Sequence, residues 1–189
     1  MKEKKSAAFS RRNLLGAFAA GILSATPIYS NAAGFLRGAG DVRRMKLYAS
    51  RTSESIDVVY WVEGHYIPEA LHEINHVMRD WRQNRSAKID TRTIDVIAAT
   101  RNILGASDAF TLLSGYRTPQ TNAMLRTRSR SVAKQSLHMK GQAADLRMSS
   151  RSVSQIARAA ASCSAGGVGR YSRSNFVHID CGQVRTWGR

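Results

Sequence analysis

Long apolar runs are missing from this chain of 189 residues. The stretch from Leu14 to Leu23 is too short, and too rich in glycine and alanine, to make a good membrane span. No period recurs, which argues against solenoids and propellers. Cysteine is nearly absent. Cys163 and Cys181 are the only two, and they lack the tight C-x-x-C spacing of a metal-binding pair. Acidic residues are scarce: 13 Asp and Glu stand against 29 Lys and Arg, for a formal charge of +16 and a pI near 10.9. That excess predicts attraction to polyanions, whether nucleic acid, anionic lipid or acidic cell-wall polymer. The composition is not that of a disordered chain, with 43% hydrophobic and 22% charged residues. The length suits one domain plus an export segment.

What is present begins with a basic N-terminus. Lys2, Lys4 and Lys5 precede Ser10-Arg11-Arg12-Asn13-Leu14-Leu15, and Ser30-Asn31-Ala32 fits a small-x-small cleavage site. This reads as a bacterial export signal over 1–32 of the twin-arginine type. The competing reading, an uncleaved anchor, has the short apolar run against it. The signal carries five basic residues and one acidic residue, so its removal leaves +12. Export places a strongly basic protein in the periplasm or cell envelope. There anionic envelope polymer is the expected partner and nucleic acid is not. An oxidising compartment also permits a Cys163–Cys181 disulfide, which is expected from a hairpin that sets Gly166 opposite Cys181.

Residues 33–44 are rich in Gly, Ala and Arg and read as a linker, leaving 45–189 as the folded domain. Strands are expected at 45–50 and 56–61 as a hairpin, then at 109–113 and 143–148, with a closing hairpin of 168–171 and 176–180. Helices are expected from Pro68 to about Trp81, from Thr91 to Leu104 with Asp90 as cap and Gly105 as stop, and from Val153 to Cys163. Residues 127–135 read as a basic surface loop. Helices first and strands later, without regular alternation, predict an α+β fold with a central antiparallel sheet and packed helices.

Two clusters compete for the chemistry. The first is His72-Glu73-Ile74-Asn75-His76, which spells H-E-x-x-H, the pattern of zinc peptidases whose glutamate takes a proton from bound water. On a helical wheel, Leu71, Ile74, Val77, Met78 and Trp81 form one apolar stripe, and His72 and His76 fall near the opposite side. That is the pattern of an amphipathic helix with a solvated polar face. The second cluster is Ser136-Leu137-His138-Met139-Lys140-Gly141-Gln142-Ala143-Ala144-Asp145, together with His178 in Asn175-Phe176-Val177-His178-Ile179-Asp180. Two imidazoles and one carboxylate from separate elements make a catalytic-type zinc set with a fourth position open. A buried histidine and a capping aspartate are the alternative.

The complete S-x-H-x-x-G-x-A-x-D pattern, the later Val-His-Ile-Asp strand and the upstream Ser114-Gly115-Tyr116-Arg117 together resemble one family. This is the zinc D-alanyl-D-alanine carboxypeptidase and L,D-endopeptidase family with a hedgehog-like fold, in its murein endopeptidase K branch. The resemblance spans about 45–189. It implies His138, Asp145 and His178 as Zn²⁺ ligands, Arg117 as the group that polarises the scissile carbonyl or stabilises its oxyanion, and Ser136 as support. It also implies that the H-E-I-N-H segment is a packing helix. The substrate would be peptidoglycan, cut in its peptide stems or cross-links.

One position departs from the pattern. Several branches place a catalytic carboxylate three residues before the last histidine, where this chain has Asn175. Asp180, two residues after His178, shares a strand face with it. It is therefore expected either to accept the proton or to orient a ligand. Glu63, Glu69 and Glu73 are the carboxylates left if neither holds. A non-catalytic envelope-binding module of the same fold and a D,D-carboxypeptidase are the alternative functions.

Overall fold

The computed structural model describes residues 41–188. The export signal read at 1–32, and most of the linker read at 33–44, lie outside them. Strand β1 (Val42–Ala49) begins inside the segment read as linker and pairs antiparallel with β2 (Glu54–Val62). Its burial alternates strictly. Arg43, Met45, Leu47 and Ala49 point inward, while Val42, Arg44 and Tyr48 are exposed. A short β3 (His65–Tyr66) closes this end of the sheet.

Two helices follow. Helix α1 (Pro68–Val77) buries Ala70, Ile74 and Val77, as the apolar stripe predicts. It stops before Trp81 because Asp80 and Arg85 exchange two backbone hydrogen bonds that turn the chain away. Helix α2 (Thr91–Ile103) starts at Asp90, whose side chain accepts from the Arg92 N–H at 3.0 Å. It ends at Gly105 with φ +56°. Burial alone would raise the Asp90 pKa, but hydrogen bonds from Arg92 and Gln142 outweigh it and hold the carboxyl at about 2.

Strand β4 (Phe110–Ser114) returns beside β1 in parallel, as a crossover through helices requires. Helix α3 (Pro119–Arg128) comes next, where the sequence suggested no helix. Apolar periodicity cannot find it, since its buried residues are Thr121 and Asn122. A 3₁₀ turn at Leu137–Lys140 leads into β5 (Ala143–Arg147), and helix α4 (Val153–Ser162) carries a full Ser152–Gln155 capping box. The chain closes with the β6 (Gly167–Tyr171) and β7 (Phe176–Asp180) hairpin, then β8 (Arg185–Gly188), which lies parallel to β6.

The eight strands run in the order β3-β2-β1-β4-β5-β7-β6-β8. The fold is α+β as predicted, but the sheet is mixed. The β1–β4 and β6–β8 pairs are parallel, and the remaining pairs are antiparallel. Helix α2 packs on β1 and β7 and against α4, which covers β6 and β7. Among the described residues, no helix is long and apolar enough to cross a membrane.

The expected disulfide is not formed, and both cysteines are free and buried. Gly166 does lie against Cys181, as anticipated. The two thiols, however, meet α2 at different heights. Cys163 Sγ sits 3.6 Å from Thr100 Oγ1, whereas Cys181 lies by Thr93 near the start of the helix. Seven residues of helix separate those partners, roughly 10 Å of rise.

One charged network lies in the core. Asp95, buried on α2, accepts from Arg43 at 2.9 Å, Tyr60 at 2.8 Å and Tyr66 at 2.7 Å. Arg43 also stacks on Trp61 at 4.2 Å. Burial, reinforced by Asp95, pushes the Tyr60 phenol far above its usual range. Replacing Asp95 by Ala strands a buried guanidinium and should cost about 3–5 kcal/mol in chemical denaturation. A cost below about 1 kcal/mol would show that the network contributes little.

Candidate metal centre

Strand pairing builds most of the site. Ser114 pairs with Asp145, Asp145 with His178, His178 with Gly169, and Gly169 with Trp187. These five residues form one row across β4, β5, β7, β6 and β8. Directly opposed residues point to the same face. Alternation then sends Val177 and Ile179 into the core, while Phe176, His178 and Asp180 take the other side. Gly169 leaves a gap in the row. A Cβ there would lie 2.6 Å from the Trp187 ring. The indole uses this space to lean toward His178, at 5.3 Å between ring centroids.

His138 arrives from outside the sheet. Ser136 caps the 3₁₀ turn by accepting from the His138 N–H, and Gly141 ends it with φ +66°. His138 is 2% exposed, and its Nδ1 lies 2.7 Å from the Gly115 carbonyl. A carbonyl can only accept, so Nδ1 carries the hydrogen and Nε2 keeps its lone pair. On His178 the roles are reversed. Its Nε2 donates to Asp180 Oδ2 at 3.1 Å, leaving the Nδ1 lone pair free.

Three acceptor atoms then converge. His178 Nδ1 lies 2.9 Å from Asp145 Oδ1, His138 Nε2 lies 3.3 Å from the same oxygen, and the two ring nitrogens are 3.2 Å apart. Lone pairs at that spacing repel unless a cation sits among them. Without an ion, the triangle closes only if His178 takes a second proton. Burial opposes this, but hydrogen bonds to Asp145 and Asp180 outweigh it and raise the His178 pKa. Burial lowers the His138 pKa. Burial would raise that of Asp145, but the two histidines hold it well below the usual carboxylate range. The fit to a metal is direct. Donors about 2.0–2.1 Å from a tetrahedral ion stand about 3.3 Å from one another, and an N, N, O set suits zinc. Among the described residues, His138, Asp145 and His178 are the group of this kind.

The group lines a cleft of about 370 Å³ that also includes Arg117, Tyr171, Phe176 and Trp187. Arg117 Nη2 bonds Asp145 Oδ2, and its Nε bonds Ser114. Nη1 has no partner among the described residues. The sequence reading missed Tyr171, Arg185 and Trp187. The period-2 spacing of Arg185 and Trp187 was the available signal, but a strand of four residues is too short to stand out.

Asp180 is placed differently from a proton acceptor. It is fully buried, and its contacts are taken. Oδ1 accepts from the Gly167 and Gly182 N–H groups at 2.9 Å each and from Arg185 at 3.2 Å. Oδ2 accepts from His178 and from Arg185, the latter at 2.7 Å. Burial would raise its pKa, but these donors pull it far below the normal range. It touches the nitrogen of His178 that faces away from Asp145. Asn175 is exposed in the β6–β7 turn at φ +51°. His72, Glu73 and His76 are exposed on α1, and the nearest partner of His76 is Glu54 at 3.5 Å. The H-E-x-x-H segment is the packing helix, with its polar face in solvent.

Residues 37–187 match the family described as Peptidoglycan L,D-endopeptidase MepK. The chain belongs to this peptidase family. The chain is 45% identical to the Peptidoglycan L,D-endopeptidase MepK of Escherichia coli (strain K12) over 145 residues, covering 77% of this chain and 80% of that one. It is also 37% identical over 137 residues to a Haemophilus influenzae protein named "Probable peptidoglycan L,D-endopeptidase MepK", covering 72% and 74%. MepK membership agrees with the α+β architecture and with a metal-capable group at the cleft.

The MepK-type site depends on a close backbone approach at Gly115. A Cβ there would come within 2.9 Å of Met78 Cβ and nearer still to the Met78 carbonyl oxygen. Gly115→Ala should displace the carbonyl that holds His138 and cost about 1–3 kcal/mol in thermal unfolding. An unchanged melting temperature would show that the loop yields freely.

Proposed function

We propose that this protein is a zinc-dependent endopeptidase that hydrolyses amide bonds in the stems or cross-links of peptidoglycan, within the cell envelope. The observation that carries the reading is the convergence of one ligand atom each from His138, Asp145 and His178 in an open cleft. His138, Asp145 and His178 would hold the ion. Zn²⁺ bound there would supply Lewis acidity toward the scissile carbonyl. The family and the names of the relatives favour an endopeptidase over a carboxypeptidase. The excess of basic residues suits an anionic envelope, and a twin-arginine-type signal over 1–32 suits export to it.

The chain's own groups divide the remaining work. Gly115 and Asp180 fix the tautomers of the two histidines, so that each presents a lone pair to the same point. Arg117 steadies Asp145 through one arm, and its unpaired Nη1 donates to the developing oxyanion. Asp180 orients His178 and is not the proton acceptor. Glu63, Glu69 and Glu73 are exposed and do not line the cleft.

His138→Ala should abolish zinc binding and the release of new amines from purified peptidoglycan. The double substitution His72→Ala, His76→Ala should leave both intact. The reverse pattern would move the site to α1, and a wild-type protein that co-sediments with wall material without releasing amines would be a binding module. Asp180→Asn should weaken zinc binding about 10–100-fold, as expected for loss of a ligand's hydrogen-bond partner. Unchanged zinc affinity with a fallen kcat would instead make Asp180 the base.

A further inference from the structure

Four cations from four separate segments lie near one another, one of them, Arg117, lining the cleft. Arg82, just after α1, is half-buried with its guanidinium 4.2 Å above the Trp81 ring. Arg51, in the β1–β2 turn, stands 5.7 Å over the same indole. Arg117 and Arg128 also act on Arg82. Burial pushes the Arg82 pKa down; Asp80 opposes this, and the three positive neighbours reinforce it. Between Asp108 and Asp145 the sequence has no acidic residue.

The nearby carboxylate, Asp80, offsets part of this charge but does not bond the guanidinium. Asp80 spends its oxygens on the backbone N–H of Arg82 at 3.0 Å and on Thr118, at 2.8 Å to the N–H and 2.9 Å to the hydroxyl. The Arg82 guanidinium therefore has no hydrogen-bond acceptor among the described residues. Those same bonds, with Tyr116 N–H to Met78 carbonyl at 2.7 Å, clamp residues 78–82 against the loop that carries Arg117 into the cleft. The half-buried, stacked guanidinium, with one carboxylate and three like charges around it, is left without a hydrogen-bond acceptor. Its planar fork is nevertheless pre-set for a carboxylate.

We propose that Arg82, flanked by Arg51 and Arg128, is a subsite for a free carboxylate of the acidic peptide stem whose amide lies in the cleft. This rests on the peptidoglycan reading. Peptide stems carry free carboxylates at side chains and termini, and the clamp ties the subsite to the loop that carries Arg117 into the cleft. Stacking on Trp81 removes rotamer freedom before binding, so little entropy is lost when the fork closes.

Binding of the full chain to purified peptidoglycan, by co-sedimentation in the cold, tests this apart from catalysis. Arg82→Gln should weaken binding about tenfold, the worth of one charge-assisted bidentate contact. Arg128→Gln, on the exposed end of α3, should act in the same direction without disturbing Trp81. Arg158→Gln on α4 makes the same charge change at the other end of the sheet and should have little effect. Wild-type protein on wall material with amidated carboxyls should bind as weakly as Arg82→Gln does on native wall. Equal losses for Arg82→Gln and Arg158→Gln would overturn the subsite in favour of diffuse attraction. So would an undiminished Arg82→Gln effect on amidated wall, or an Arg82→Gln loss confined to phosphatidylglycerol vesicles. If the binding pattern holds but no amines are released, the endopeptidase reading fails and the subsite stands.

Discussion

The pairing of Asp145 with His178 across β5 and β7 is the constraint on which the site depends. Side chains alternate along a strand, so a slip of one residue would bury both groups and turn Leu146 and Val177 outward. Register is pinned by what lies on the other face. Leu146, Val177 and Ile179 are fully buried under the helices, so the hydrophobic core and the polar row specify each other. Ser114, Gly169 and Trp187 extend the same row in both directions. His138 is the exception, held by a turn and one carbonyl.

Two buried polar systems behave differently under this constraint. In the first, Asp95 with Arg43, Tyr60 and Tyr66, each charge has an opposite partner, and Arg43 Nε alone is left without an acceptor. The group at the cleft differs. Its three acceptors face one another, and the donors on the outer nitrogens only sharpen the conflict. An interior that pairs the charges of one network and leaves the acceptors of the other facing one another accepts a local cost, in keeping with a group that could hold a cation.

Much of this was legible in the sequence. The caps at Asp90 and Gly105, the β1–β2 hairpin and the β6–β7 hairpin follow from local turn and period signals. His138, Asp145 and His178 were found because the spacing around Gly141 is distinctive. The wheel also placed His72 and His76 in solvent correctly. What escaped was of two kinds. Helix α3 hides because it buries threonine and asparagine, and β8 hides because four residues show no period. The disulfide failed for another reason. Strand pairing predicts which residues are neighbours, but not where a side chain's contacts have already been spent. Cys163 and Cys181 point to different heights on α2.

The row across five strands has a consequence for the order of events during folding. Its members come from positions 114 to 187, and β7 completes the set only after docking on β5 across a whole helix and a further strand. Contacts so distant along the chain form late. A metal held by this group would therefore not be the nucleus of folding, unlike the ion in small domains that collapse around it. An ion bound there would be a late arrival at a finished cage, and the fold would have to stand on its own until then.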